Sequence, residues 1–175
     1  MRRRVRVSAP GKLMISGEYV VLEDTPALVA AVGARLYASG SERVGDASRA
    51  SIDGSPDGGR LPAEAQLSRQ HAEVSLGETT MELTIDASEL NRGDRKLGLG
   101  SSAAAAAASA GAVLAWHGED PAAQRRPILR WALAGHRAVA PEGSGADVAA
   151  ATLGGIVRFV RSEAEAAELI EWPAQ

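Results

Sequence analysis

Lys96-Leu97-Gly98-Leu99-Gly100-Ser101-Ser102-Ala103 runs without a break into an alanine-rich stretch that ends at Trp116. Two glycines one residue apart, two serines and six successive alanines predict a tight turn feeding a buried helix. Gly98 and Gly100 open backbone conformations closed to other residues and let a ligand approach the main chain. Ser101 and Ser102 are favoured helix N-cap types, and alanine is the strongest helix former with the smallest side chain. The start of such a helix presents unpaired N–H groups and a partial positive charge, which suits a phosphate. Lys96 adds a full charge at the mouth, and the two hydroxyls are candidate ligands for a phosphate oxygen or for Mg²⁺. Taken as a bare pattern, a plain structural turn competes with phosphate binding. The Walker pattern Gly-x-x-x-x-Gly-Lys-Ser/Thr is absent.

The rest of the chain narrows the classes. Its 175 residues suit one domain with a real core. Aromatic residues make up only 3% and alanine carries much of the apolar content, which favours closely packed helices. A net charge of −3 argues against a general nucleic-acid or anionic-membrane partner. The lack of cysteine excludes disulfides, thiolate metal sites and a cysteine nucleophile, and it fits a reducing cytoplasm. Arg2 to Arg4 are basic, but no apolar signal core follows them. The run from Leu97 to Trp116 has helix length, yet alanine drives membrane insertion only weakly.

Upstream, Arg2 to Val7 alternates as a half-buried strand does. In Ser8-Ala9-Pro10-Gly11-Lys12-Leu13-Met14-Ile15-Ser16-Gly17-Glu18-Tyr19-Val20-Val21-Leu22, Pro10-Gly11 is a turn signal. Leu13 to Ile15 and Tyr19 to Leu22 are strand-like. A lone Lys12 is commonly a surface charge, and Glu18 reads equally well as an exposed turn residue. Strands are predicted over Pro26 to Val32 and Ala34 to Ser41. A polar surface excursion follows over Gly45 to Pro62, with a hairpin or short strand near Ala50 to Ile52. A short helix is expected over Glu64 to His71, a hairpin from Glu73–Leu76 to Thr79–Ile85, and a connector over Ala87 to Asp94. Pro127 to Val139 has helical apolar spacing and carries His136. His71 and His117 have no supporting context.

The last constellation is Gly143-Ser144-Gly145-Ala146-Asp147-Val148-Ala149-Ala150-Ala151. A sharp glycine turn precedes a helix whose first turn holds Asp147, where the helix dipole favours a carboxylate. On its own Asp147 reads as a favourable first-turn charge. Gly154-Gly155 and a strand over Ile156 to Arg161 close the unit, and the segment from Ser162 is acidic.

Three blocks together resemble the GHMP kinases, the family of galactokinase, homoserine kinase, mevalonate kinase and phosphomevalonate kinase. Gly-Leu-Gly-Ser-Ser-Ala-Ala resembles their ATP-binding motif. Ala9-Pro10-Gly11-Lys12 with Gly17-Glu18-Tyr19 resembles their first motif. Gly-Ser-Gly-Ala-Asp resembles the stretch that carries their catalytic-site aspartate. Mevalonate kinases usually place a glutamate where His136 stands. His136, the Gly-Ser-Gly-Ala-Asp turn and the Arg95-Lys96-Leu97 lead-in are more similar to the phosphomevalonate kinases.

This resemblance implies an α+β fold, the GHMP N-terminal domain with a mixed sheet covered by helices. That domain would span residues 1–161, with 162–175 an acidic tail or the start of a missing C-terminal domain. It implies an ATP-dependent, cytoplasmic phosphotransferase of the mevalonate pathway and isoprenoid biosynthesis, converting 5-phosphomevalonate to 5-diphosphomevalonate. The implied cofactors are ATP and Mg²⁺. Lys96, Gly98, Leu99, Gly100, Ser101 and Ser102 would hold the nucleotide, and Ser101 or Ser102 the metal. Lys12 and Asp147 would be catalytic. Lys12, Glu18, His136, Ser144 and Gly145 would face the acceptor. Relatives in this family are longer and carry a third, glycine-rich motif that nothing here matches, so the chain resembles an N-terminal half that docks against a missing domain. Two other readings stay open: mevalonate kinase or another GHMP kinase, and a non-catalytic nucleotide- or partner-binding module.

Overall fold

The computed structural model describes residues 3–42, 51–53, 61–92 and 95–171. One sheet is built on two long strands, β1 (Arg4–Ser16) and β2 (Ala27–Glu42), which pair antiparallel. The other edge of β2 is shared end to end. β4 (Met81–Asp86) pairs with its C-terminal half and β7 (Ile156–Phe159) with its N-terminal half. β3 (Ser51–Asp53) adds in parallel to β4, and β8 (Glu168–Ile170) adds antiparallel to β7. A separate small hairpin joins β5 (Asn91–Arg92) to β6 (Arg95–Lys96). The parallel β3–β4 pair makes the sheet mixed, as expected of this α+β fold.

Among the described residues, four helices cover one face. These are α1 (Ala63–Leu76), α2 (Ser101–Trp116), α3 (Arg125–Val139) and α4 (Ala146–Leu153). α2 and α4 lie directly on β1 and β2, while α1 and α3 pack outside them. α2 is apolar on every side and is buried from Ala103 to Leu114, as a central helix must be. Its small side chains let α1, α3, α4, β1 and β2 all approach at once. α3 is amphipathic, burying Ile128, Leu129, Trp131, Ala132 and Leu133. Trp131 Nε1 donates to Ser75 Oγ on α1 at 2.9 Å, which satisfies the polar handle of a large buried ring.

Several local expectations are corrected. Pro10-Gly11 is not a chain reversal but the interior of β1. There Pro10 pairs with Arg35 and Lys12 with Ala31, so Val32, Gly33 and Ala34 oppose the single Gly11. This bulge merges the two strands expected over 26–41 into one. Tyr19 to Leu22 is not a strand, because Gly17, at φ +86°, starts a turn that continues as a 3-10 segment over Val20–Glu23. Glu73 to Leu76 is the last turn of α1 rather than a hairpin strand, and Arg69 fastens it through an ion pair to Glu73 at 2.9 Å. Most of the excursion placed at Gly45 to Pro62 lies outside the described residues. The acidic segment from Ser162 buries Ala164 and Ala167 and continues into β8, so it adds to the same sheet.

The uncovered face of the sheet is apolar at one end. Leu13, Ala30, Ile156 and Ile170 stand opposite one another across β1, β2, β7 and β8. The next residues on the central strands, Val29 and Val157, are fully buried under the helices. Strand alternation therefore places the Leu13 row on the open side, where Leu13 is 56% and Ile170 36% exposed.

Candidate active site

The glycine turn forms as a backbone cradle. Gly98 and Gly100 adopt φ of +74° and +76°, the left-handed region that other side chains avoid. Gly100 is the N-cap of α2, and no side chain caps the helix. Ser101 and Ser102 therefore occupy the first helical turn, which corrects the expectation that a serine caps it. The first helical bond runs from Ala104 N to Gly100 O at 3.0 Å. The earlier amides have no partner within the helix and are directed outward with the positive end of the dipole. Lys96 and Gly98 are exposed on the lip, and Leu99 and Gly100 are partly buried behind it.

The first motif reaches this cradle across more than eighty residues of sequence. Lys12 N donates to Leu99 O at 2.8 Å. A Cβ on Gly100 would lie 2.8 Å from Lys12 Cγ and 3.2 Å from Cε, so the aliphatic stem of Lys12 lies across Gly100. Gly11 completes the contact, since a Cβ there would lie 2.9 Å from Leu99 O. The bulge opposite Gly11 thus aims Lys12 at the cradle, a recurrent use of such irregularities.

The third motif opens α4. Gly145, at φ +82°, is its N-cap. Ser144 Oγ accepts from Ala146 N at 3.2 Å, and Asp147 Oδ1 accepts from Val148 N at 2.9 Å. Behind this turn lies His136, only 7% exposed. A Cβ on Gly143 would lie 2.6 Å from His136 Nε2, and one on Gly145 would lie 3.8 Å from its Cδ2, so the ring is walled off by these glycines. The resemblance implies that His136 faces an acceptor; in the structure its ring lies buried behind the Gly143–Gly145 turn.

The residue that sequence reading missed is Glu64, in the first turn of α1. Its Oε1 lies 3.3 Å from His136 Nδ1. Glu64 raises the imidazole above its ordinary value; burial opposes this, and the nearby Asp147 charge adds to it. The Glu64 carboxyl is held low, first by His136, against burial, with the Ser102 hydroxyl and the Lys96 charge contributing. The only signal in the sequence was an acid at a helix start, which a favourable dipole explains equally well.

The structure therefore gathers Lys12, Leu99 and Gly100 on one side and Ser102, Glu64, His136 and Asp147 on the other. Glu18 is not among them. It is exposed in the Gly17–Tyr19 turn and makes no hydrogen bond or ion pair with the described residues. An open cavity of about 380 Å³ beside Ser144 is lined by Gly143, Ser144, Arg137, Arg161, Asp24 and Ser162. Arg161 donates to Pro141 O at 3.0 Å, and Ser162 N donates to Asp24 Oδ1 at 2.8 Å. A second cavity, of about 410 Å³, follows the free edge of β1 at Arg6–Pro10 and touches none of the predicted site residues. No helix among the described residues is long and apolar enough to cross a membrane.

A glycine turn at a helix start, a lysine laid across it and an acidic turn nearby thus lie together on one α+β domain. Residues 66–155, just over half of the chain, match the family described as GHMP kinases N terminal domain. The chain belongs to the GHMP kinase family, whose members are phosphotransferases that use ATP. It is 30% identical to a phosphomevalonate kinase of Streptomyces sp. (strain CL190) over 90% of this chain and 50% of that one. It is 31% identical to a mevalonate kinase of Aeropyrum pernix over 93% of this chain and 52% of that one. The fold matches Streptococcus pneumoniae phosphomevalonate kinase, solved in complex with phosphomevalonate and AMPPNP, at a TM-score of 0.75. That match has 22% identity and covers 93% of this chain and 52% of that one. The chain thus spans about half the length of the relatives it matches.

Proposed function

We propose that this domain supplies the nucleotide-binding half of an ATP-dependent kinase whose acceptor is 5-phosphomevalonate. The observation that carries the reading is Lys12 hydrogen-bonded to Leu99 and laid over Gly100, which sets a cation at the mouth of an uncapped helix start. The amides after Gly100 hold the ATP phosphates, and Lys96 adds charge at the lip. Ser101 and Ser102 fit a hard cation that prefers oxygen. Among the described residues no cluster of three His, Cys, Asp or Glu side chains exists to cage a metal. Ser101 or Ser102 would hold Mg²⁺ together with nucleotide oxygens and water, as is usual for this ion. When bound, it supplies charge neutralisation on the phosphates.

In the transfer, an oxygen of the acceptor phosphate attacks the γ-phosphorus. The bond from that phosphorus to the β–γ bridging oxygen breaks, leaving ADP and 5-diphosphomevalonate. A phosphate monoester, with a second pKa near 6, is already largely ionised near neutral pH. Asp147 accordingly orients the acceptor more than it removes a proton, and Lys12 offsets the charge gathering between the two substrates. Ser144 and Gly145 shape the acceptor turn, and Glu18 lies at the outer margin of that side. Arg137 and Arg161 beside Ser144 favour an acidic acceptor. Mevalonate kinase is the second reading, supported by the similar identity to the Aeropyrum relative. The open Leu13–Ile170 row is where a C-terminal domain docks on this reading. An exposed apolar patch of this kind commonly marks a partner surface.

Calorimetric titration of the chain with AMPPNP and Mg²⁺ tests the nucleotide side. Saturable binding is expected, and its absence overturns the kinase reading. Amide shifts at Ser144 to Asp147 on adding phosphomevalonate, but not mevalonate, test the acceptor. The reverse pattern selects mevalonate kinase. Steady ADP release by the chain alone would show that no second domain is needed.

A further inference from the structure

Among the described residues β1 pairs with β2 alone, so its other edge is open. The register tells which backbone groups line that edge. Glu42 N donates to Arg3 O at 3.2 Å, which makes Arg3 and Glu42 a hydrogen-bonded pair, and antiparallel pairs alternate between bonded and non-bonded. Arg4, Arg6 and Ser8, opposite Ser41, Ser39 and Tyr37, are the non-bonded ones. Their N–H and C=O groups point away from β2. Ser8 O shows this directly: it accepts at 3.1 Å from Arg35 Nη2, whose side chain starts opposite Pro10 and crosses the strand. Arg35 Nε also donates to Ser8 Oγ at 2.9 Å. The other outward groups, from Arg4 to the Ser8 N–H, have no partner among the described residues. Such a row is a ready template for another strand, and it is about 13 Å long at about 3.3 Å per residue.

The cavity of about 410 Å³ follows this edge, and small or apolar residues of α2 and α3, among them Ala107, Ala115 and Ile128, line its helical side. Val7 faces that side, since a Cβ on Gly111 of α2 would lie 3.0 Å from Val7 Cγ1. Arg6 and Ser8 alternate to the open side, where the Arg6 guanidinium lies over the Tyr37 ring at 4.4 Å. The ionisable residues lining the cavity are Arg6, Arg35, Arg125 and Asp120. None of the three arginines has an ion-pair partner among the described residues. Asp120 Oδ1 is turned to its own loop, accepting from Ala122 N at 2.9 Å. The nearby Glu89 carboxylate is taken by Arg35 N at 2.8 Å and by the Tyr37 hydroxyl at 3.2 Å. The groove is therefore basic on a chain whose net charge is −3.

We propose that the open edge of β1, from Arg4 to Ser8, docks an extended acidic segment of a partner protein as a further strand of the sheet. Backbone bonds to Arg4, Arg6 and Ser8 set the register, and alternate side chains give the selectivity, a recurrent mode of peptide capture. Carboxylates in step with Arg6 meet the Arg6 and Arg35 guanidiniums. Apolar side chains in step with Val7 enter the cavity. A second copy of this chain fits poorly, because pairing two such edges brings arginines of one against arginines of the other, and like charges set opposite are destabilising. The guest strand stops at Ser8. Arg35 already holds Ser8 O, Pro10 has no N–H to offer, and the Lys12 N–H is taken by Leu99 O. The docking edge is thus separate from the glycine turn and does not depend on the kinase reading.

The test is a ¹⁵N NMR titration of the 175-residue chain with the capped peptide Glu-Val-Glu-Val-Glu. The expected result is saturable shifts and slowed hydrogen exchange at the Arg6 and Ser8 amides, with binding that weakens as salt rises. The peptide Lys-Val-Lys-Val-Lys should leave both amides unmoved. Arg6→Pro removes an outward donor that β2 does not use, so the β1–β2 ladder survives. It should weaken binding by about tenfold, the scale of one lost hydrogen bond to a charged or well-placed partner. Arg6→Gln keeps the N–H and should weaken binding less. If Arg6→Pro fails to fold, Arg6→Gln and the pair of peptides still decide. No shift at millimolar acidic peptide, or equal shifts with the lysine peptide, would overturn the proposal. So would the same shifts from citrate alone, which mark a small-anion site, or concentration-dependent shifts without peptide, which mark pairing between copies.

Discussion

Lys12 N donates to Leu99 O at 2.8 Å, and the Lys12 stem covers the bare Cα of Gly100. This pairing joins the first motif to the second with no spacer. It makes glycine at position 100 a requirement twice over, once for its left-handed φ and once for the lysine lying across it.

Gly100→Val should therefore abolish nucleotide binding. A β-branched residue in the left-handed region costs about 1–2 kcal/mol or more, and its side chain would displace Lys12. The buried body of α2 begins only at Ala103, so the domain should still fold. Calorimetry with AMPPNP, alongside circular dichroism, checks this. Wild-type affinity in a folded variant contradicts the cradle.

Lys12→Ala and Asp147→Asn bear on turnover. In a chain carrying both domains, each should lower kcat by about a hundredfold or more, the scale of losing a charge-stabilising group. KM for ATP should change less. Variants that lose only thermal stability would reduce both residues to structural roles.

The Glu64–His136 pair makes stability depend on pH. His136 is raised from 6.5, so its contribution is complete below 6.5 and is lost as pH rises through the elevated folded value. Glu64 is lowered from 4.5, so its contribution is complete above 4.5 and is lost as pH falls through the depressed folded value. The pair is worth most between these limits. Thermal midpoints of wild type minus Glu64→Gln should peak in that window and shrink at alkaline pH. A difference that is flat across pH would show the two groups are uncoupled.

Gly135→Ala tests the helix approach that brings His136 to Glu64. The added methyl meets the α1 backbone at Ser68 and Glu64. Overpacking of this kind costs about 1–3 kcal/mol. Chemical denaturation should show that loss, and the His136 ring signals should move with it. An unchanged midpoint would mean that α1 and α3 are free to separate.

The sequence by itself determined what local chemistry decides. Gly98 to Ser102 and the alanine run specify a turn and a helix through their own backbone preferences, and with the two outlying motifs they identify the α+β class and the family. Lys12 and Asp147 stand out in the sequence because each sits in a dense local motif. What the tertiary structure alone decided depends on partners distant in sequence. Tyr19 to Leu22 and Glu73 to Leu76 are short runs whose local pattern suits strand or helix alike; Gly17 and the α1 packing settled them. The cap of α2 passed from serine to Gly100 because the turn needs a positive φ there. Glu64 carried no motif at all. Its meaning arises only where Gly135 lets two helices close and a carboxylate from one meets an imidazole from the other, and no pattern along a single segment encodes that meeting.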